Sequence, residues 1–428
     1  MVASSMIEDD RAGEETPDEA TLETVRWLLS ADAIRTRAGE VTARIDDGAS
    51  AYFTLDRDRL GALADSVAEL TRERFPDLAV PFHSRWRHFE AAGYDRFASL
   101  AAAREWSTPE EAARAMGDLA IVSVLLDAGA GPTWRYHEAV TGEVMGRSEG
   151  LALASFAMFA SGAFSAVPAD PLRADAAGLE DVSEAEFAQG FQITEDNPLA
   201  GADGRRDLLR ELAFALRMSP DIFAVEDDPR PGGIIDALAA EAEDGELPAP
   251  KILEAVLEGL GPIWPSRESL AGIPLGDTWR YEPLDRGTPG SDLVPFHKLS
   301  SWLSYSLIEP LTVRGIVVTD IDGLTGLAEY RNGGLFVDGG ALVLRDPAMG
   351  KTPLPVSHPL VVEWRAATVT LLDALAPMVR ERLGVSAETL PLASILEGGT
   401  WLAGRKLAQS LRADASPPIA IESDGTVF

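Results

Sequence analysis

Apolar residues recur at helical spacing through most of the chain. Leu22, Val25, Leu28 and Leu29 share one helical face, and Leu60, Leu63, Val67 and Leu70 repeat the pattern within 58–75. The second stretch ends where proline and charge crowd residues 75–81. Thr108-Pro109-Glu110-Glu111 reads as a helix start, with Thr108 as N-cap, Pro109 in the first position and Glu111 in capping-box position. That helix is expected to run through Leu126 and stop near Gly129 and Gly131. Further helices are predicted over 147–164, 208–217 and 363–383, and over 296–310, where Pro310 is expected to end the helix. Residues 335–345 alternate about Gly339-Gly340 like a small β-hairpin. The stretches 168–184 and 239–250 are acidic and proline-bearing and read as surface connections, and 227–233 reads as a loop. No internal repeat and no βαβ alternation appears. The expected fold class is therefore mainly α and multi-helical, not a Rossmann or TIM fold.

Charge narrows the partners. Lys plus Arg total 37 against 69 Asp plus Glu, a formal net charge of −32. That excess repels polyanions, so nucleic acid and anionic membrane are not expected partners, and a small molecule is. Nothing in the pattern sets an oligomeric state. There is no cysteine, which removes disulfides, thiolate metal sites and cysteine nucleophiles and fits a cytoplasmic location. Residues 1–20 hold seven acidic residues and one Arg with no apolar segment, so they read as a disordered acidic tail rather than a signal peptide. Residues 21–428 are expected to form one compact catalytic domain, or two lobes that meet at the site.

The common catalytic motifs are missing: no P-loop, no GxGxxG, no HExxH, no GxSxG. Four segments nevertheless combine charge, aromatic rings and glycine. Residues 82–90, FHSRWRHFE, suit either a substrate wall or an internal ion-pair network. In the second, Asp127, a glycine-rich stretch, Trp134, Arg135 and Tyr136 are followed by Thr141-Gly142 and by Arg147 and Glu149; the simpler alternative is a helix C-cap with Asp127 paired to Arg135. In the third, Lys298 stands near a helix start, to meet an anion or only solvent. In the fourth, Asp320, Asp322 and Glu329 fall within ten residues beside Tyr330 and Arg331. There the plain readings are an N-cap at Asp320 or Asp322 and an ion pair between Glu329 and Arg331.

These segments carry a resemblance. FHSRWRHFE at 82–90, LLDAGAGPTWRY at 125–136, VPFHKLSSWLSYSL at 294–307, LTGLAEYRNGGL at 324–335 and HPLVVEWRA at 358–366 resemble the uracil-catabolism family, the fourth gene product of the URC ring-opening route. A shorter likeness links Asp320-Ile321 through Thr325 to Ala328-Glu329-Tyr330-Arg331, and Val362-Glu363-Trp364-Arg365-Ala366, to queuosine-5′-phosphate N-glycosylases. Here Glu329 replaces the usual Asp of that family.

The resemblance implies a multi-helical architecture like that of helix-hairpin-helix DNA glycosylases. It implies hydrolysis of an N-glycosidic bond, releasing urea from ribosylurea or its 5′-phosphate. Asp320 falls on that family's catalytic carboxylate, with Asp322 as substitute, and Glu329 or Asp127 would protonate urea. Glu149 or Glu363 would hold ribose hydroxyls, and Arg331, Arg365 and Lys298 would bind a phosphate. Trp134 and Tyr136 would wall the urea side, with Arg135, Arg147 and Tyr330 as further substrate contacts. Neither cofactor nor metal is implied. The rivals are a ureido amidohydrolase and a non-catalytic ligand-binding or scaffold protein.

Overall fold

The computed structural model describes residues 18–422 apart from 105, 128, 226, 227, 265 and 266. Residues 1–17 of the expected tail lie outside the described residues, as does Asp227 of the expected loop. Residues 18–20 are not part of a tail: Asp18 accepts the Thr21 N–H at 2.7 Å and caps the helix Glu19–Leu28. The fold is mainly helical. Among the described residues the strands are three residues or fewer and form only two-stranded pairs.

Apolar periodicity accounts for the principal helices. The helix Leu60–Arg74 buries Leu60, Leu63, Val67 and Leu70, the residues of the predicted stripe. The helix Pro109–Leu125 begins at the expected N-cap, where the Thr108 hydroxyl accepts the Glu111 N–H at 3.3 Å. The longest helix, Pro359–Leu383, packs on Ala31–Asp46 and on Leu60–Arg74, and Lys298–Arg314 packs along Pro109–Leu125. One contiguous apolar core runs through all of them, from Ala31 to Ile419.

Four expectations are corrected. Pro310 does not end its helix, which continues from Lys298 to Arg314. A proline at 310 leaves the carbonyl of Ser306 without its usual N–H donor. The indole Nε1–H of Trp86 fills that place at 2.8 Å, so the break is repaired from a distant segment. Residues 335–338 form no hairpin arm; they complete the helix Tyr330–Asp338, which Gly339 and Gly340 terminate, Gly340 at φ +77°. Residues 342–344 then pair antiparallel with Phe53–Leu55. Residues 168–184 are more than a surface connection, because Ala174 and Asp175 are buried and a helix spans Ala176–Asp181. Likewise 246–248 form a strand parallel to 317–319.

Close helix contact sets one strict size limit. A Cβ on Gly404, in the helix Trp401–Leu411, would stand 2.0 Å from the carbonyl oxygen of Arg331. Gly404→Ala is therefore expected to destabilise the protein by about 1–3 kcal/mol. Chemical denaturation measures this, and an unchanged midpoint would contradict so close an approach of the two helices.

Candidate functional site

Three of the four charged segments meet through one guanidinium. Arg85 is fully buried. Its Nε donates to the Ser123 hydroxyl at 2.7 Å and its Nη2 to the Ser123 carbonyl at 3.1 Å. Nη1 reaches the Ser148 carbonyl at 3.4 Å and Asp127 Oδ1 at 3.3 Å. The guanidinium also lies 5.6 Å from the centre of the Trp302 ring. Its backbone N–H is held by the Ser306 hydroxyl at 2.9 Å, one residue before Trp86 covers the Ser306 carbonyl. Residues 82–90 are thus bound to the Lys298–Arg314 helix at the point that Pro310 opens.

Asp127 closes the Pro109–Leu125 helix and is nearly buried, yet its Oδ1 has no hydrogen-bond partner among the described residues apart from the ion pair with Arg85. Glu329 approaches from another side as the N-cap of Tyr330–Asp338. It accepts the backbone N–H of Arg331 at 2.6 Å and that of Asn332 at 2.5 Å. Burial pushes the Glu329 carboxyl up despite those two bonds. Lys298 is a cation on which both acids act. Burial pushes its ammonium pKa down, and Glu329 and Asp127 are the principal charges pulling it back up.

A second layer holds Lys298 in place. Its backbone N–H donates to Asp277 Oδ2 at 3.1 Å. Asp277 in turn takes a bidentate pair from Arg365, both bonds 2.7 Å, and Arg365 stacks 4.1 Å from the centre of Phe296. Burial alone would raise the Asp277 carboxyl, but Arg365 holds it well below the usual carboxylate range. The segment 320–331 is anchored by Arg35, whose Nη2 donates to the carbonyls of Asp322 at 3.0 Å and Leu324 at 2.8 Å.

The fourteen expected site residues divide on these facts. Asp127 and Glu329 are charge neighbours of Lys298, Glu149 of Arg85 and Arg147 of Tyr330. Arg331 stacks on Tyr330 at 4.9 Å and donates to the Ala415 carbonyl at 2.9 Å, while its Nε is buried without a partner. Arg331 bonds Glu329 through its backbone, so the expected side-chain ion pair does not form.

The others stand apart. Asp320 is exposed, in a left-handed conformation at φ +48°, with no side-chain hydrogen bond among the described residues. Asp322 bridges Arg380 at 2.5 Å and the Leu392 N–H at 2.6 Å, which makes it an anchor. Trp134 is core: its Nε1 donates to the Phe191 carbonyl at 2.9 Å, and a Cβ on Gly150 would come within 2.9 Å of its ring. The glycine therefore makes room for an indole rather than a ligand. Arg135 is exposed and folds back on the carbonyls of Pro132 and Trp134, away from Asp127. Tyr136 is buried in the short pair with 144–145. Glu363 is taken by Ser50 and by Tyr281 Oη, the latter at 2.6 Å, and Arg365 is committed to Asp277. Among the described residues no group of three His, Asp or Glu side chains stands close enough to hold a metal ion.

Sequence reasoning missed Asp277 and Glu397. The signals were faint: Asp277 sits between two short β pairs, and Glu397 precedes Gly398-Gly399 in a π-helical turn, a feature frequent at functional sites.

The chain belongs to the family described as "Protein of unknown function (DUF1688)", which matches residues 27–428. Two relatives are aligned along nearly their whole length. It is 39% identical over 414 residues to "Protein urg3" of Schizosaccharomyces pombe, covering 95% of this chain and 99% of the relative. It is 36% identical over 441 residues to "Uracil catabolism protein 4" of Lachancea kluyveri, covering 94% and 99%.

One carboxyl beside the site titrates near neutrality. Burial pushes Glu309 up to about 7 from 4.5, although Ser84 and Arg87 both bond it. A raised carboxyl stabilises the fold below its unfolded value, and this is lost as pH rises through the folded one. Between pH 4.5 and 7.5 the wild type is expected to lose on the order of 2 kcal/mol through this group. Glu309→Gln should show a correspondingly smaller fall in unfolding free energy over the same range; parallel curves would exclude the effect.

Proposed function

We propose that the protein acts in uracil catabolism by hydrolysing the N-glycosidic bond of ribosylurea or its 5′-phosphate, freeing urea. The observation that carries this reading is the Asp127 carboxylate, nearly buried and held by the fully buried Arg85 at 3.3 Å, with Lys298 a charge neighbour of both Asp127 and Glu329. The name of the Lachancea relative, "Uracil catabolism protein 4", supports the metabolic context. The mainly helical fold is compatible with a helix-hairpin-helix glycosylase-like architecture, which is part of the same proposal.

Breaking a ribosyl C1′–N bond builds positive charge on the sugar, and a carboxylate aimed at C1′ stabilises it. Asp127 suits that task, because Oδ1 is buried and held in place by the Arg85 guanidinium. Glu329 is held rigidly by two backbone donors, and burial raises its basicity, so it takes a proton from the attacking water. Lys298 donates to the urea oxygen. With Arg365 committed to Asp277, a 5′-phosphate falls to Arg331 and Arg147, which flank Tyr330.

The test is turnover of ribosylurea and of its 5′-phosphate by pure protein, with urea and sugar assayed. Asp127→Asn should lower kcat at least ~100-fold, and Asp320→Asn should leave it unchanged. The reverse pattern would return the catalytic carboxylate to Asp320 and reject this arrangement.

A further inference from the structure

The hydrolysis above leaves one role open. Urea is a poor leaving group unless its nitrogen is protonated as the C1′–N bond breaks. Asp127 and Glu329 are already assigned to the sugar cation and to the attacking water, so the acid must come from elsewhere in the same cluster.

His83 has the required placement. Its backbone N–H is fixed on the Ala393 carbonyl at 3.0 Å, and its ring tilts against Trp302 with centroids 6.5 Å apart. Nδ1 stands 2.9 Å from Glu397 Oε2, while Glu397 Oε1 is held by Arg74 Nη2 at 2.8 Å. With Nδ1 engaged, Nε2 is the free nitrogen; it has no hydrogen-bond partner among the described residues, and the side chain is 16% exposed. His83 and Arg85 both lie against the Trp302 ring, which sets the imidazole beside the Arg85–Asp127 pair. The carboxylate, histidine and open nitrogen reproduce the orientation logic of catalytic dyads.

We propose that His83, oriented by Glu397, is the general acid that protonates the departing urea nitrogen; this rests on the N-glycosidase reading. The water oxygen bonds to C1′, and the C1′–N pair goes to nitrogen, which takes the proton from Nε2. Glu329 takes the proton of the water, and exchange with solvent restores both groups. No oxidant or further reactant is needed.

Four charged or titratable groups bear on His83. Glu397 bonds its Nδ1 and Arg74 bonds Glu397 in turn, His88 lies on the same segment, and Glu329 is a charge neighbour. His88 is unsuited to the role itself: burial and Arg85 hold it neutral. Burial would raise Glu397, but His83 and Arg74 outweigh it and keep it an anion.

The plain alternative is that His83–Glu397 merely ties residues 82–90 to the turn 396–400. A substrate with a self-sufficient leaving group separates the two. His83→Gln should lose roughly 100- to 1,000-fold in kcat on ribosylurea, yet match wild type on para-nitrophenyl riboside, whose phenolate departs without a proton. Equal slowing on both substrates overturns the acid role while leaving the hydrolase reading intact. A wild type that turns over neither overturns that reading and this proposal with it. Should His83→Gln fail to fold, Glu397→Gln serves. It should slow ribosylurea turnover roughly 10-fold or more while leaving para-nitrophenyl riboside turnover at the wild-type rate. Equal rates of the variant and wild type on ribosylurea reject the dyad.

Discussion

Burial of the Arg85 guanidinium is the constraint on which the rest of the site depends. Taking an unpaired cation out of water costs several kcal/mol, and only matched acceptors offset it. Ser123, Ser148 and Asp127 supply those acceptors, and they come from two helices and the loop between them. Each acceptor is thereby fixed relative to residues 82–90. The aromatic side of the same cation falls to Trp302, one turn beyond Lys298. Asp127 and Lys298 are therefore placed by the same interaction that makes Arg85 tolerable in the interior.

Pro310 shows how a local defect becomes a docking point. A helix carbonyl without a donor is costly when buried. Here the orphaned Ser306 oxygen binds the indole of Trp86, and the Ser306 hydroxyl binds the backbone of Arg85. The proline is thus compatible with a continuous helix because the 82–90 segment supplies what it removes. Breaking either contact would loosen both.

Much of this was legible in the chain, and the exceptions share a cause. Helices with a single apolar stripe and a side-chain cap, such as Pro109–Leu125, were readable because their signals are local. The segments richest in charge and aromatic rings were identified, and three of them do converge. What escaped is non-local. The repair at Pro310 comes from 220 residues away, Asp277 meets Arg365 across 88 residues, and Glu397 meets His83 across 314. Residues 335–345 misled for another reason: alternation beside a Gly-Gly pair resembles a hairpin, but those glycines end a helix whose apolar face lies against Trp401–Leu411.

The segment 320–331 sets its acidic residues in unlike surroundings. Its first half is held by its neighbours: Arg35 grips the carbonyls of Asp322 and Leu324, and Asp322 grips Arg380 and Leu392. Asp320 lies outside that clamp, in contact with solvent. The second half turns inward, where Glu329 begins a helix and spends both oxygens on backbone donors. Glutamate stands where the likeness has an aspartate, and each of its oxygens accepts one backbone N–H. The acidic function of the motif is thereby divided: its start secures the chain, and its end supplies charge to the interior.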